Sequence, residues 1–153
     1  MKWKKGKMEE RNLPLGIEAG KMIREMFRVF KKRIVEQAEV KISIEEFGLL
    51  HTIHKKEVDV IQSELAYILG KDKSFILRLT DSLEEKGLVR RVVDTSDRRK
   101  NYLMVTKHGE TVIKKYVDIG FELMNELQQG LTESDINTFY KVVNQVRSNS
   151  EKL

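Results

Sequence analysis

The sequence predicts a mainly α-helical fold with one small β-hairpin, and three observations support that prediction. Apolar residues recur every three or four positions over several long stretches, which is the spacing of one face of an amphipathic helix. One proline and nine glycines in 153 residues are too few to make the turns of an all-β sandwich or barrel. Residues 88–105 are the exception, because two segments rich in β-branched or aromatic residues flank a polar stretch there.

The composition is that of a folded, charge-rich chain with one core. Hydrophobic residues make up 40% and charged residues 35%, which does not indicate disorder. The net charge of +5 suits a polyanionic partner, although charge alone does not identify one. The chain has no cysteine, which excludes disulfides, thiolate metal sites and a cysteine redox switch. We expect a cytoplasmic protein, because the basic start MKWKKGKMEERN precedes no apolar run and no segment reaches the length of a membrane span.

The first two helices are delimited by residues that suit helix ends. A long amphipathic helix is predicted over residues 14–38, and Pro14 fits its first turn because an N–H there would have no intrahelical partner. The second helix begins after Ser43, which forms a capping box with Glu46, and runs to about His54.

The next two helices are short and joined by a glycine turn. A third helix is predicted to begin at Asp59, three residues before Gln62, and to end at Gly70. Asp72 then caps a fourth helix, which Gly87 ends in a left-handed conformation. Two helices in this arrangement predict a helix-turn-helix, whose second member can lie in the major groove of DNA.

The remaining elements are the hairpin and two more helices. Strands are predicted at residues 88–93 and 102–105, with a polar tip at 94–101. Thr106 can cap a fifth helix, and Thr132 can open a sixth.

The fourth helix has one face that packs and one that is presented. A helical wheel puts Phe75, Ile76, Leu79 and Leu83 in one arc. The opposite face carries the predicted major-groove residues Lys73, Ser74, Leu77, Arg78 and Asp81. Leu77 is either a contact for a thymine methyl group or a lone exposed leucine, and Arg78 could bond a guanine or a phosphate.

Positive charge also concentrates at the hairpin tip. Arg98, Arg99 and Lys100 stand there beside Asp97, shortly after two arginines in the leading strand. A thin, arginine-bearing tip suits the minor groove of DNA, where narrow A·T tracts attract guanidinium groups. The alternative is a solvated edge that prevents strand-to-strand aggregation.

The order of these parts resembles the MarR (multiple antibiotic resistance regulator) family over nearly the whole chain. The resemblance depends on the runs QSELAYILGKDKSFILRLTDSLEEKGLVRR and DTSDRRKNYLMVTKHGE. The wing of that family has an Asp, one residue, an Arg, then a strand ending in Leu-Thr and a Gly three residues later. The matching residues here are Asp97, Arg99, Thr106 and Gly109, with Val105 where leucine is common.

The resemblance implies a role for each of these parts. Arg99 would enter the minor groove, Asp97 would orient it, and the helix from Asp72 to Lys86 would read the major groove. Leu77 departs from the small polar residues that family members often present there, so no relative's sequence preference is transferred.

The predicted architecture is therefore a winged helix-turn-helix flanked by N- and C-terminal dimerisation helices. We treat residues 1–153 as a single unit, with the winged helix-turn-helix at 41–106 and dimerisation helices at 12–40 and 107–153. The terminal helices carry more apolar surface than such a domain covers, which indicates an interface. The resemblance also implies a homodimer, and the alternative is an intramolecular bundle in a monomer.

The predicted function is a sequence-specific regulator of transcription that binds double-stranded DNA at a pseudo-palindromic operator. We expect a repressor, although activation stays open. The resemblance implies release by a small aromatic or anionic effector, in a pocket guessed from position to include Met26, Phe30, Phe47, His51 and Tyr116. These residues could equally be plain core. The alternative function is a winged-helix module for protein interaction or nonspecific nucleic-acid binding, without a ligand.

Catalysis, cofactors and metal binding are not expected. The sequence shows no glycine-rich phosphate loop, no nucleophile elbow and no paired histidine and carboxylate motif. His51 and His54 stand one helical turn apart and could share a metal, but only His108 and scattered carboxylates could complete the site.

Overall fold

The computed structural model describes residues 14–56, 60–93 and 101–153 of the chain. The described helices are α1 (Leu15–Gln37), α2 (Ile44–Lys55), α3 (Gln62–Ile68), α4 (Lys73–Glu85), α5 (Lys107–Leu127) and α6 (Glu133–Ser150). The described strands are β1 (Val60–Ile61), β2 (Val89–Val93) and β3 (Asn101–Val105). The chain divides into two compact units, with the boundary between Ile119 and Gly120. The predicted partition at residues 41–106 stays a prediction.

The predicted capping residues at the starts of α2 and α4 are confirmed. Ser43 Oγ accepts a hydrogen bond from the Glu46 N–H at 3.0 Å, and Glu46 Oε2 accepts one from the Ser43 N–H at 2.6 Å. Asp72 Oδ1 accepts from the Phe75 N–H at 2.7 Å. These side chains satisfy backbone donors that have no partner within the helix, and so they fix where each helix begins.

Glycines end α3 and α4 as the sequence predicts. Gly70 has a φ of 58° and Gly87 a φ of 69°, both in the left-handed region that favours glycine. Beyond each glycine the backbone N–H bonds back into the last helical turn, from Lys71 to the Ala66 carbonyl and from Leu88 to the Leu83 carbonyl. The chain therefore turns sharply after each helix without leaving those carbonyls unsatisfied.

The sheet has one more strand than the sequence predicts. Val60–Ile61 forms β1, which pairs antiparallel with β3, and the strand order is β1-β3-β2. The prediction that the third helix begins at Asp59 is therefore wrong for Val60 and Ile61, which form a strand, and α3 begins at Gln62. Asp59 itself lies outside the described residues. The capping pattern is a local signal, whereas pairing with the free edge of β3, some forty residues later, has no local signature.

The hairpin itself is confirmed. β2 and β3 pair antiparallel in a continuous register from Val89 opposite Val105 to Val93 opposite Asn101. The strands thus begin and end within a residue or two of the predicted bounds. Residues 94–100 lie outside the described part of the chain.

One hydrophobic core holds the first unit together. Its fully buried members come from α2, α3, α4 and the sheet region, and they include Leu49, Leu50, Leu65, Ile76, Leu83, Leu88 and Leu103. Tyr116 of α5 is also buried, and its hydroxyl accepts from the Ile42 N–H at 2.8 Å and lies 3.1 Å from the Val40 carbonyl. That hydroxyl ties the segment between α1 and α2 to α5.

The second unit contains the end of α5 and all of α6. Gly130, with a φ of 86°, makes the turn between them, and Thr132, which is predicted to open α6, forms a capping box with Asp135. None of the 18 residues of α6 is buried. Its exposed large apolar side chains are Phe139, Tyr140, Val142 and Val146. Among the described residues, no helix is long and apolar enough to span a membrane.

Candidate nucleic-acid interface

α4 packs against α2 and α3 through one face. Ile76, Thr80 and Leu83 are buried, and Phe75 and Leu79 are partly buried against the same core. Thr80 is missing from the sequence-predicted face because it is polar. Its hydroxyl donates to the Ile76 carbonyl at 2.8 Å, so the side chain can be buried without losing its hydrogen bond.

The opposite face of α4 is presented to solvent. All five predicted major-groove residues are exposed: Lys73, Ser74, Leu77, Arg78 and Asp81. Leu77 keeps 45% of its surface accessible, so it takes no full part in the core. The exposure of this face is thus confirmed, while its contacts with DNA stay predictions.

Two cations flank the ring of Phe75 at the start of α4. Lys71 Nζ lies 5.8 Å and Arg78 Cζ 5.9 Å from the ring centroid. At these distances the ring quadrupole attracts both cations. Lys71 was not among the predicted residues, because it precedes the capping residue Asp72 and so lies outside the helical period of α4.

Arg91 of β2 connects the hairpin to α4. Its backbone N–H donates to Glu84 Oε1 at 3.0 Å, while its guanidinium bonds Glu84 Oε2 and Asp81 Oδ1. The Arg91 side chain is 25% exposed and that of Asp81 56%. Asp81 lies on the presented face as the sequence predicts, but nothing in the sequence indicates that a strand residue bonds it.

Glu46 connects α2 to the end of α4. Its Oε1 accepts from Ser82 Oγ at 2.6 Å and from Lys86 Nζ. Burial alone would raise the pKa of this carboxyl. The hydrogen bonds from Lys86, Ser82 and the Ser43 N–H, with the charge of Lys86, outweigh burial and lower the pKa. Sequence reasoning identified Glu46 only as a capping residue, because its partners on α4 are distant in sequence.

The base of the wing is described, whereas its tip is not. The predicted wing residues Asp97, Arg98, Arg99 and Lys100 lie outside the described residues. At the base, Thr106 Oγ1 donates to the Gly87 carbonyl at 2.7 Å and accepts from the Gly109 N–H at 3.0 Å. A Cβ atom on Gly109 would collide with the Leu88 carbonyl oxygen and lie 2.7 Å from Val105 Cγ1. The threonine and the glycine therefore serve the close approach of α5 to the hairpin.

Three of the five guessed pocket residues form a stack of rings. Phe47 lies between His51 at 5.6 Å and Tyr116 at 5.3 Å, with interplanar angles of 25° and 20°. Burial, followed by the charges of Lys55 and His54, lowers the pKa of His51, which favours a neutral ring in the stack. Met26 and Phe30 are partly buried, and Phe30 packs against the core.

A surface cavity of about 240 Å³ is lined in part by Tyr116. It is lined by residues 37–40, at the end of α1 and just after it, and by α5 residues that include His108, Lys115 and Tyr116. Of the guessed pocket residues only Tyr116 reaches it, so the effector pocket stays a prediction. Among the described residues no three His, Cys, Asp or Glu side chains converge on a possible metal site.

Two helices joined by a left-handed glycine, followed by an antiparallel hairpin that packs on them, define a winged-helix protein. In a comparison with known proteins, residues 42–100 match the model of the MarR family. The chain is therefore a winged-helix protein that is similar to the MarR family over those residues.

Solved structures share the fold. The apo form of wild-type MarR from E. coli superposes with a TM-score of 0.70 at 23% identity, over 88% of this chain and 98% of that chain. A mutant of MepR from S. aureus gives a TM-score of 0.75 at 19% identity, over 90% and 98%. Another MepR mutant, bound to an oligodeoxyribonucleotide, gives 0.63 at 19% identity, over 90% and 99%.

Proposed function

We propose that this chain is a sequence-specific regulator of transcription, a repressor, that binds a pseudo-palindromic operator in double-stranded DNA as a homodimer. The observation that carries the proposal is the solvent-facing side of α4, which presents Lys73, Ser74 and Arg78 next to a hairpin. In a helix-turn-helix this side of the second helix enters the major groove. In this proposal the chain has no catalytic role.

Charge and fold both favour DNA as the partner. The net charge of +5 provides the counterion release that drives binding to phosphates. The fold is shared with a MepR mutant bound to an oligodeoxyribonucleotide. In this proposal Arg99 enters the minor groove beside α4 and Asp97 orients it, whereas Arg98 and Lys100 add phosphate contacts.

Exposed apolar side chains support the homodimer in each unit separately. In α1 they include Ile17, Ile23 and Phe27, and in the second unit Phe121 and Phe139. A second copy of the chain that covers these side chains would remove them from water. It would also set two copies of α4 about one DNA turn, roughly 34 Å, apart.

The proposed effector is a small aromatic or anionic molecule that binds near the ring stack and changes that spacing. Titration of the operator complex with candidate aromatic acids tests this part, because an effector must weaken DNA binding. If no compound changes the affinity, the regulator works without such a ligand.

The experiment that tests the proposed function is site selection from a random duplex pool followed by salt titrations. We expect the selected site to be palindromic and bound about 10³-fold more tightly than random DNA, or better. Equal affinity for both would leave a nonspecific nucleic-acid module. No binding to either would leave a protein-interaction module.

Single substitutions locate the two DNA contacts. Arg78→Ala should weaken operator binding about tenfold or more, whereas Arg28→Ala, an equal charge change on the exposed surface of α1, should weaken it far less. Arg99→Ala should weaken binding most for operators with A·T-rich flanks. An unchanged footprint and affinity for Arg99→Ala would refute the wing assignment.

A further inference from the structure

We propose that Arg91 is a positioning residue for DNA binding: it offsets part of the negative charge that Asp81 and Glu84 would otherwise bring to the DNA-facing side of α4, and it fixes the hairpin to that helix. This inference rests on the proposed function, because it assumes that α4 faces a duplex.

The first step is the geometry of the Arg91 contacts. The backbone N–H and one guanidinium nitrogen bond the two oxygens of Glu84, and the other terminal nitrogen bonds Asp81 Oδ1. One arginine of β2 thus bridges two carboxylates that lie three residues apart on α4. The planar guanidinium makes this possible, because it offers several donors in a fixed fork.

The second step is that Arg91 is not available to DNA itself. Three quarters of its side chain is covered, since only 25% is exposed, and both terminal nitrogens are used within the protein. Asp81 is 56% exposed and lies three residues after Arg78, on the same side of α4. Asp81, not Arg91, therefore meets the duplex.

The third step is electrostatic. DNA carries one negative charge for about every 1.7 Å of its axis, so an unpaired carboxylate at the edge of the interface repels it regardless of base sequence. The bridging guanidinium supplies a positive charge within bonding distance of both carboxylates. Asp81 can then remain on the presented face at a smaller cost to affinity, because its carboxylate is bonded to Arg91.

The experiment is a double-mutant cycle on a duplex of fixed random sequence, about three helical turns long, at low ionic strength. Arg91→Met should weaken binding about tenfold, because Asp81 and Glu84 lose their counter-charge. Adding Asp81→Asn should restore the affinity to within about twofold of the wild type, which has the same net charge. Asp81→Asn alone should bind at least as tightly as the wild type.

Arg90 provides the matched control. It neighbours Arg91 on β2 and is exposed, and its guanidinium lies 3.9 Å from Met104 Sδ. The Arg90→Met single variant has the same net charge as the Arg91→Met single variant. The double variants that add Asp81→Asn also match each other in net charge. We expect Asp81→Asn to improve binding by a much larger factor in the Arg91→Met protein than in the Arg90→Met protein. Equal factors would overturn the proposal, because general charge would then explain both.

A further variant keeps the test valid if Arg91→Met does not fold. Asp81→Asn combined with Glu84→Gln retains the arginine and removes both carboxylates, so it should bind the random duplex more tightly than the wild type. Weaker binding by this folded variant would overturn the proposal. Because the duplex is random, a failure to select an operator would refute the proposed regulator without affecting this cycle. Conversely, a tight operator with no rescue of Arg91→Met would refute only the role of Arg91.

Discussion

Gly109→Ala should destabilise the protein even though alanine favours helices. Gly109 lies in α5 and has no left-handed φ, so the backbone conformation allows any residue. The obstacle is space: an added Cβ would overlap the Leu88 carbonyl oxygen and lie 2.7 Å from Val105 Cγ1. A carbonyl in the backbone cannot turn aside as the end of a flexible side chain can. The first turn of α5 must therefore move away from the base of the hairpin.

The expected loss of stability combines two costs and one gain. Overpacking of this kind costs about 1–3 kcal/mol. Displacing the Leu88 carbonyl also weakens its 3.0 Å hydrogen bond from the Thr106 N–H, worth about 1 kcal/mol. Alanine in place of glycine within a helix returns about 1 kcal/mol. We therefore expect a net loss of about 2 kcal/mol in the free energy of unfolding.

Gly48→Ala is the matched control. Gly48 lies within α2, and a Cβ there would have nothing within 4 Å, so only the helix preference remains. This variant should gain up to about 1 kcal/mol. Urea unfolding of both variants, at one protein concentration because the chain is proposed to dimerise, measures the difference. A Gly109→Ala protein as stable as Gly48→Ala would refute the close approach of α5 to the hairpin.

Three further predictions concern stability. The hydrogen bonds to Glu46 and the charge of Lys86 outweigh burial and lower the pKa of Glu46 from its usual value of 4.5. The ionised carboxylate therefore stabilises the fold above pH 4.5, and this stabilisation is lost as the pH falls through the folded-state pKa. The urea midpoints of wild type and Glu46→Gln should thus converge in acid; a constant difference would contradict this. Tyr116→Phe removes the acceptor of the buried Ile42 N–H and should cost about 1–3 kcal/mol, measured by urea unfolding; no loss would mean that another acceptor replaces the hydroxyl. Gly87→Ala forces a residue with a Cβ atom to a φ of 69° and should cost about 1–2 kcal/mol, seen as a lower melting temperature; an unchanged temperature would exclude strain at this turn.

Signals that act within a few residues made most of the fold predictable. Ser43 with Glu46 and Asp72 before α4 gave helix starts, and the left-handed Gly70 and Gly87 gave helix ends. The exposed face of α4 followed from its helical period. Each of these features depends on residues close in sequence, which is why reading the chain alone sufficed.

The contacts that join distant segments were not predictable in this way. Arg91 read only as one more positive charge near the wing, and its bonds to Asp81 and Glu84 depend on how the strand docks on α4. β1 was not predicted for a similar reason. Two residues are too few to show the alternating hydrophobic pattern of a strand, and their partner strand β3 comes much later in the sequence. Thr80 was missed because a polar side chain can be buried when its hydroxyl bonds the preceding turn.

The middle strand of the sheet, β3, joins segments that lead into or follow three different helices. β3 holds β1 along one edge and β2 along the other; β1 continues into α3, β2 follows α4, and β3 itself leads into α5. Three helices are thus connected to a sheet whose middle strand has only five residues. Leu103 of that strand is buried in the core that α2, α3 and α4 share, so packing and strand pairing meet at this one residue.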